Sequence, residues 1–316
     1  MYRDKTIAIV IPAYNEEGLI GKTIDTIPDF VDKIIVVDDC SKDYTPECVR
    51  ERVSLEPERV ILLQHIKNQG VGAATVTGYK WCVQNNIDIT VVMDGDAQMD
   101  PGDLPWLLDP IASGEVDYTK GNRLFTGEAW RKIPHIRYLG NAVLSLLTKI
   151  ASGYWHIADS QSGYRAASLK VLQTINLDRV HKGYGTMNDF LVRLNIHNFS
   201  VRDVPIRPVY GIGEKSGFNA ITIIPKMTLL IFRLFIKRMV QKYVIRDFHP
   251  LVFFYSSGFL LTFGGILMGL FVVYRRLFIG SVQDNTPLFT VFLVFLGWQF
   301  ILFAMWFDME SNRHLR

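Results

Sequence analysis

Two stretches near the C-terminus restrict this 316-residue chain more than any other feature. Leu251–Tyr274 runs for 24 residues without a charged side chain, and Leu288–Phe307 for 20. At ~1.5 Å per residue each can cross a ~30 Å hydrocarbon layer. A helix satisfies all its backbone polar groups within one such segment. The pattern predicts two membrane-spanning helices joined by a hairpin loop over 275–287. Upstream, 225–246 spaces Lys226, Arg233, Lys237, Arg238 and Lys242 among Leu, Ile and Phe. That spacing predicts a basic amphipathic helix lying in the membrane interface. The plainer alternative is a core helix with a solvated basic face. Phe248–Pro250 then opens the first span.

Composition divides the chain at the same place. With 49% hydrophobic and 21% charged residues it is not a disordered sequence. The net charge of +3 averages two unlike parts: 225–316 holds ten Lys/Arg and four Asp/Glu (+6), and 1–224 holds 24 and 27 (−3). An acidic body argues against a nucleic-acid partner and leaves the lipid bilayer as the partner of the basic tail. Arg233, Lys237, Arg238, Lys242 and Arg246 precede the first span and Arg313 and Arg316 follow the second, against Arg275 and Arg276 between them. The cation-rich flanks are expected in the cytoplasm, and with them the body and both termini. Cys40, Cys48 and Cys82 form no CxxC pair, so neither a disulfide framework nor a zinc site is expected. The N-terminal apolar run, Ile7–Pro12, reads as a first buried strand and not as a signal peptide.

The first ~120 residues alternate short β-rich runs with helical stretches, four strands in all. TIAIVIPAY, KIIVVDD, RVILLQH and DITVVMDGD are the strands; EEGLIGKTIDTIP, TPECVRERV and GVGAATVTGYKWCVQ are the helices between them. Such alternation implies right-handed crossovers and a mostly parallel sheet, whose ligands bind beyond the carboxyl ends of the strands. Three strands end in polar clusters, Asn15-Glu16, Asp38-Asp39 and Asp94–Asp96, which would meet on one edge. Asp94 and Asp96, one residue apart at a strand end with Gln98 nearby, suit a hard cation that takes its remaining ligands from a diphosphate. Lys67–Ala74 (KNQGVGAA) supplies a Gly-rich turn, where backbone can come close to other groups. It lacks the third glycine of a dinucleotide fingerprint.

At IPAYNEE (Ile11–Glu17), VVDDCSKD (Val36–Asp43) and the DGD of Asp94–Asp96, the chain resembles family 2 glycosyltransferases of the GT-A fold. GNR (Gly121–Arg123) and DSQSGYRA (Asp159–Ala166) extend the resemblance over about residues 5–215. With two C-terminal spans it is most similar to the dolichyl- and polyprenyl-phosphate sugar synthases. The resemblance implies an α/β, Rossmann-like GT-A catalytic domain over 1–224, an interfacial helix over 225–247 and a membrane anchor over 248–316. It further implies inverting transfer of one sugar from a UDP- or GDP-hexose to a polyprenyl or dolichyl phosphate. Pro12, Tyr14, Glu16, Asp39 and Asp94 would then line the nucleotide site, the turn at Asn68 and Gly70 would bring backbone to it, and Asp96 and Gln98 would hold Mg²⁺ or Mn²⁺. Arg123 and Arg165, with Arg131 and Lys215, would meet the acceptor phosphate. Asp159 stands where inverting relatives place their acidic catalytic residue, as base or acceptor orienter; a lesser role would be to hold Arg165. A homo-oligomer is left open.

The acceptor chemistry supports that reading independently. A phosphate monoester has its second pKa near ~6 and is already largely anionic, so its site needs cationic positioning more than a strong base. Transfer to a lipid hydroxyl is the alternative. A processive polysaccharide synthase is a weaker one, since the chain holds no Arg-Trp pair for a QxxRW motif and two spans are few for a pore. A non-catalytic membrane scaffold would be expected to lack Asp96, Asp159 or Arg165, and all are present.

Overall fold

The computed structural model describes all residues except 125–134, 208, 210–219, 281–282 and 284. Runs of Ile and Val, stiff at χ1 and suited to a pleated surface, form β1 (Ile7–Ala13), β2 (Lys33–Asp38), β3 (Val60–Gln64) and β4 (Ile89–Val92), all parallel. Between them lie α1 (Ile20–Asp25), α2 (Thr45–Leu55) and α3 (Val71–Gln84). α1 is shorter than the expected helix, which would start at Glu16 and run to Pro28. Asn15 adopts φ +57, and the N–H groups of Leu19 and Ile20 both donate to the Glu16 carbonyl, so the stretch before Ile20 is a turn.

After α4 (Leu104–Ala112) come β5 (Tyr118–Asn122), α5 (His135–Ser152), β6 (Arg165–Ser168), α6 (Leu169–Thr174), α7 (Thr186–Ile196) and β7 (Val201–Pro205). The seven strands lie in the order β3-β2-β1-β4-β6-β5-β7. β6 alone runs antiparallel to its neighbours, and β5 and β7 pair in parallel. The expected mostly parallel α/β sheet is therefore present. Its inner strands are buried on both faces, which explains their unbroken apolar runs. Ile7, Ile9 and Ile11 face one core with Leu104 and Leu108; Ala8 and Val10 face the other with Ala74 and Phe190.

The chain forms two compact units, 1–236 with 315–316, and 237–314, the division falling within α8 (Ala220–Val240). In the first unit, Leu230 and Leu234 of α8 pack with Val192 and Ile196 of α7. The second unit holds a π-helical turn (Gln241–Arg246), α9 (Leu251–Phe278) and α10 (Asn285–Ser311). α9 and α10 are long and apolar enough to cross a membrane. Both overrun their uncharged stretches, so Arg275 and Arg276 belong to the last turn of α9 and not to a loop. Long cationic side chains at a helix end carry their heads past an apolar layer, which makes this extension cheap. Two of the cations expected on the polar face of the amphipathic helix are instead buried. Arg238 makes a fork-on-fork pair with Asp308, at 2.7 and 2.8 Å, and Lys242 donates to the Asn312 side chain at 2.8 Å. A carboxylate in an apolar helix has to be paired, and these residues satisfy it.

Candidate active site

The strand order reverses between β1 and β4, and a crevice opens at such a point beyond the carboxyl ends of the strands. Pro12 is buried in β1, paired with Val37 of β2. Tyr14, 40% exposed, and Glu16, half-buried, follow at the strand end. The DGD segment leaves β4 beside them and is tied to α1 by the Thr23 hydroxyl, which donates to the Gly95 carbonyl at 3.1 Å. Ala97 at φ +57 turns the chain, and the Asp96 carboxylate accepts the Gln98 N–H at 3.1 Å.

This edge is acidic. Burial pushes the Glu16 carboxyl up to about 7, and the negative charges of Asp96, Asp94 and Asp43 add to the shift. Asp94 is also raised by burial, against the opposing pull of Arg165, Arg123 and Lys120. Such a cluster of oxygen donors with too little positive charge fits a divalent cation of the Mg²⁺ or Mn²⁺ kind. Among the described residues no three His, Cys, Asp or Glu side chains converge tightly enough to hold a metal by themselves. Oxygen ligands from a bound diphosphate would complete the shell.

Asp39, at the end of β2, has several partners. Its Oδ1 accepts the His65 ring N–H at 2.7 Å and the Gln69 N–H at 2.9 Å, and its Oδ2 accepts the Gly70 N–H at 2.7 Å. It thus holds the 65–70 turn, on which Asn68 is exposed, against the sheet. Gly70 sits at φ +91, where a side chain would be strained, and an added Cβ would meet the Lys182 carbonyl at 2.8 Å.

Beyond β4 the edge turns cationic. Arg123 grips Asp159 with Nε on Oδ2 at 2.7 Å and Nη2 on Oδ1 at 3.2 Å, while its backbone N–H reaches Oδ2 at 3.3 Å. Asp159 therefore holds Arg123, not Arg165. Burial alone would raise its carboxyl, but the charge and hydrogen bonds of Arg123, with Lys120 nearby, bring the net shift below the usual range. Arg165 is buried, donating to the Tyr79 hydroxyl at 3.3 Å and the Gly163 carbonyl at 3.1 Å. With Asp94 it lines a cavity bordered also by Gly72, Thr75, Tyr184 and Met187. Arg131 and Lys215 lie outside the described residues. Asp189 buttresses α7, accepting from His181 N and Arg193 Nε at 2.9 Å each. His156 bonds the Val201 carbonyl at 2.7 Å, a structural contact.

The model of glycosyl transferase family 2 matches residues 8–175. The chain belongs to glycosyltransferase family 2. Over 219 residues this glycosyltransferase is 34% identical to UDP-N-acetylglucosamine–dolichyl-phosphate N-acetylglucosaminyltransferase of Methanococcus voltae, covering 66% of this chain and 87% of that protein. It is 32% identical to polyprenol monophosphomannose synthase of Mycolicibacterium smegmatis, covering 67% and 81%. The fold matches glucosyl-3-phosphoglycerate synthase of Mycobacterium tuberculosis, solved with Mn²⁺, UDP and phosphoglyceric acid, at a TM-score of 0.53 and 22% identity over 74% of this chain and 78% of that one. The architecture of the glycosyltransferase is thus GT-A. Further residues hold these groups in place: Lys120, Asn122 and Asp203 around the Arg123–Asp159 pair, Tyr79 on Arg165, and His65 on Asp39. Of these only Asn122 had a signal, as the middle of GNR.

Proposed function

We propose that this enzyme transfers a single sugar from a UDP- or GDP-hexose to a polyprenyl or dolichyl phosphate, with inversion, at the cytoplasmic face of a membrane. The observation that carries the reading is the change of charge across one sheet edge. Glu16, Asp94 and Asp96 lie at the ends of β1 and β4, and Arg123, paired with Asp159, lies beyond β5. The acidic side suits a cation-bound diphosphate, and the basic side suits a phosphate monoester. The named activities of the M. voltae and M. smegmatis relatives support the same acceptor class.

In this reading Pro12, Tyr14, Glu16, Asp39, Asn68 and Gly70 frame the nucleoside, Asp94 contacts the nucleotide, and Asp96 and Gln98 would hold the cation. When bound, Mg²⁺ or Mn²⁺ neutralises charge that builds on the departing diphosphate. Arg123, 26% exposed, presents a planar guanidinium to the acceptor phosphate. Arg165 adds positive charge, and Arg131 and Lys215 are further candidates for that phosphate on sequence grounds alone. An oxygen of the acceptor phosphate attacks the anomeric carbon from the face opposite the diphosphate, the sugar–diphosphate bond breaks, and the configuration inverts. Asp159, ionised beside Arg123, orients the acceptor and takes any proton remaining on it. The body over 1–224 carries the chemistry, 225–247 lies in the interface, and 248–316 anchors it with cytoplasmic termini.

A panel of UDP- and GDP-sugars, assayed with polyprenyl phosphate with and without a chelator, tests the donor side. Transfer from one nucleotide class, lost on chelation and restored by Mg²⁺ or Mn²⁺, is expected. Full transfer in chelator would remove the cation from the account.

A further inference from the structure

Asp203 lies on β7, apart from every motif that marks the donor site, yet one of its oxygens holds both halves of the Arg123–Asp159 pair through their neighbours. Oδ2 accepts the Ala158 backbone N–H at 2.6 Å and the Asn122 side-chain N–H at 3.2 Å. Ala158 directly precedes Asp159, and Asn122 directly precedes Arg123. The Asn122 amide oxygen in turn accepts the Leu124 N–H at 2.9 Å, so fixing this amide also fixes the turn through Arg123. β5 and β7 pair in register with Lys120 opposite Asp203. Lys120 Nζ donates to the Ser162 carbonyl at 2.5 Å, a further tie to the segment that carries Asp159.

This arrangement is costly. The other oxygen of Asp203, Oδ1, is buried with no hydrogen-bond partner among the described residues, and burial pushes the carboxyl upward. An apolar residue here, like Val201 and Val204 on the same strand, would avoid the penalty of a buried, half-satisfied carboxylate. What an apolar residue could not do is bond Ala158 and Asn122 at once.

We infer that Asp203 is a positioning residue for glycosyl transfer, setting the spacing and facing of the Arg123 guanidinium and the Asp159 carboxylate. The inference rests on the roles proposed above for those two residues. Partners of this kind, one shell behind the reacting groups, typically affect activity by about 10–100-fold.

The test uses the full-length enzyme in lipid nanodiscs with nucleotide sugar and polyprenyl phosphate. Asp203→Ala removes both bonds, and kcat is expected to fall at least about tenfold, since a misplacement of ~1 Å can cost ~10²-fold. The KM for the nucleotide sugar should stay within about twofold, because the donor residues sit on other strands and this variant touches only the acceptor side. Asp203→Asn keeps an acceptor oxygen and should recover activity to within about threefold of wild type. Should Asp203→Ala not fold, Asp203→Glu, which displaces the carboxylate by a methylene, is expected to show the same loss of kcat at constant donor KM. Wild-type kcat in the alanine or glutamate variant overturns the inference, as does an asparagine variant no better than alanine or a donor KM that rises in step with the loss. A wild-type enzyme that glycosylates no polyprenyl phosphate would instead show that the functional reading itself is wrong.

Discussion

At the scale of residues, Asp159 and Glu16 are two carboxyls of the candidate site shifted in opposite directions. Arg123 and Lys120 hold Asp159 ionised, so its contribution to stability is present above the ordinary carboxylate range and lost as pH falls below it. Asp159→Asn keeps the shape but removes the charge; kcat should fall about 10²–10⁴-fold with little change in donor KM, as steady-state kinetics would show. Glu16 behaves oppositely. Its folded-state value of about 7 lies above the ordinary 4.5, so the stability it contributes is present at low pH and lost as pH rises through 7. Without a divalent cation, the melting temperature should therefore rise as pH is lowered from about 8 to about 5, and Glu16→Gln or added Mn²⁺ should flatten that slope. An unchanged slope in Glu16→Gln would assign the effect to other groups. Both carboxyls could be named from the sequence because they stand in short motifs. The pairing of Asp159 with Arg123 could not: the two are 36 residues apart, and hydrophobic periodicity says nothing about which side chains tertiary folding brings together.

At the scale of elements, the strands that could be read were those with a repeated chemical pattern. β1 to β4 are runs of Ile and Val bounded by turns, and they form as expected. β5 reads Tyr-Thr-Lys-Gly-Asn, with no apolar run, yet all five residues are buried. It is a strand because Lys120, Thr119 and Asn122 find partners in the Ser162 carbonyl, the Leu107 carbonyl and Asp203, and tertiary context overrides propensity. A helix before the first apolar stretch was legible for the converse reason, a period of basic residues, but the burial of Arg238 and Lys242 was not, because Asp308 lies 70 residues away from Arg238. Within the second unit that pair makes a prediction. Asp308→Ala leaves a buried guanidinium uncompensated and should destabilise the unit by about 3–5 kcal/mol, whereas Arg238→Met with Asp308→Leu should recover most of it. Thermal melting in detergent compares the two. A second prediction concerns the packing of α9 on α10. A Cβ at Gly297 would fall 2.4 Å from the Thr262 hydroxyl and 2.6 Å from its backbone N, so Gly297→Val should lower the melting temperature and expose the pair to protease.

At the scale of the whole molecule, an acidic body and a basic, apolar tail suit an enzyme whose donor is soluble and whose acceptor resides in a bilayer. The division of charge and the two uncharged stretches were visible in the sequence, and so was the family, because short local motifs such as IPAYNEE and DGD carry it. Which sugar is moved was not visible, since the motifs are short local patterns, while a cavity such as the one lined by Gly72, Arg165 and Tyr184 draws on segments far apart in the chain. The central claim is that the nucleophile is a phosphate monoester and not a hydroxyl. The most direct measurement supplies the enzyme in nanodiscs with its labelled nucleotide sugar and, in parallel, a polyprenyl phosphate or the matching free polyprenol, and then identifies the lipid product by mass. The account predicts one sugar joined through a single phosphate, formed from the phosphate acceptor alone. A sugar joined to the free polyprenol, or a product carrying several sugars, would contradict it.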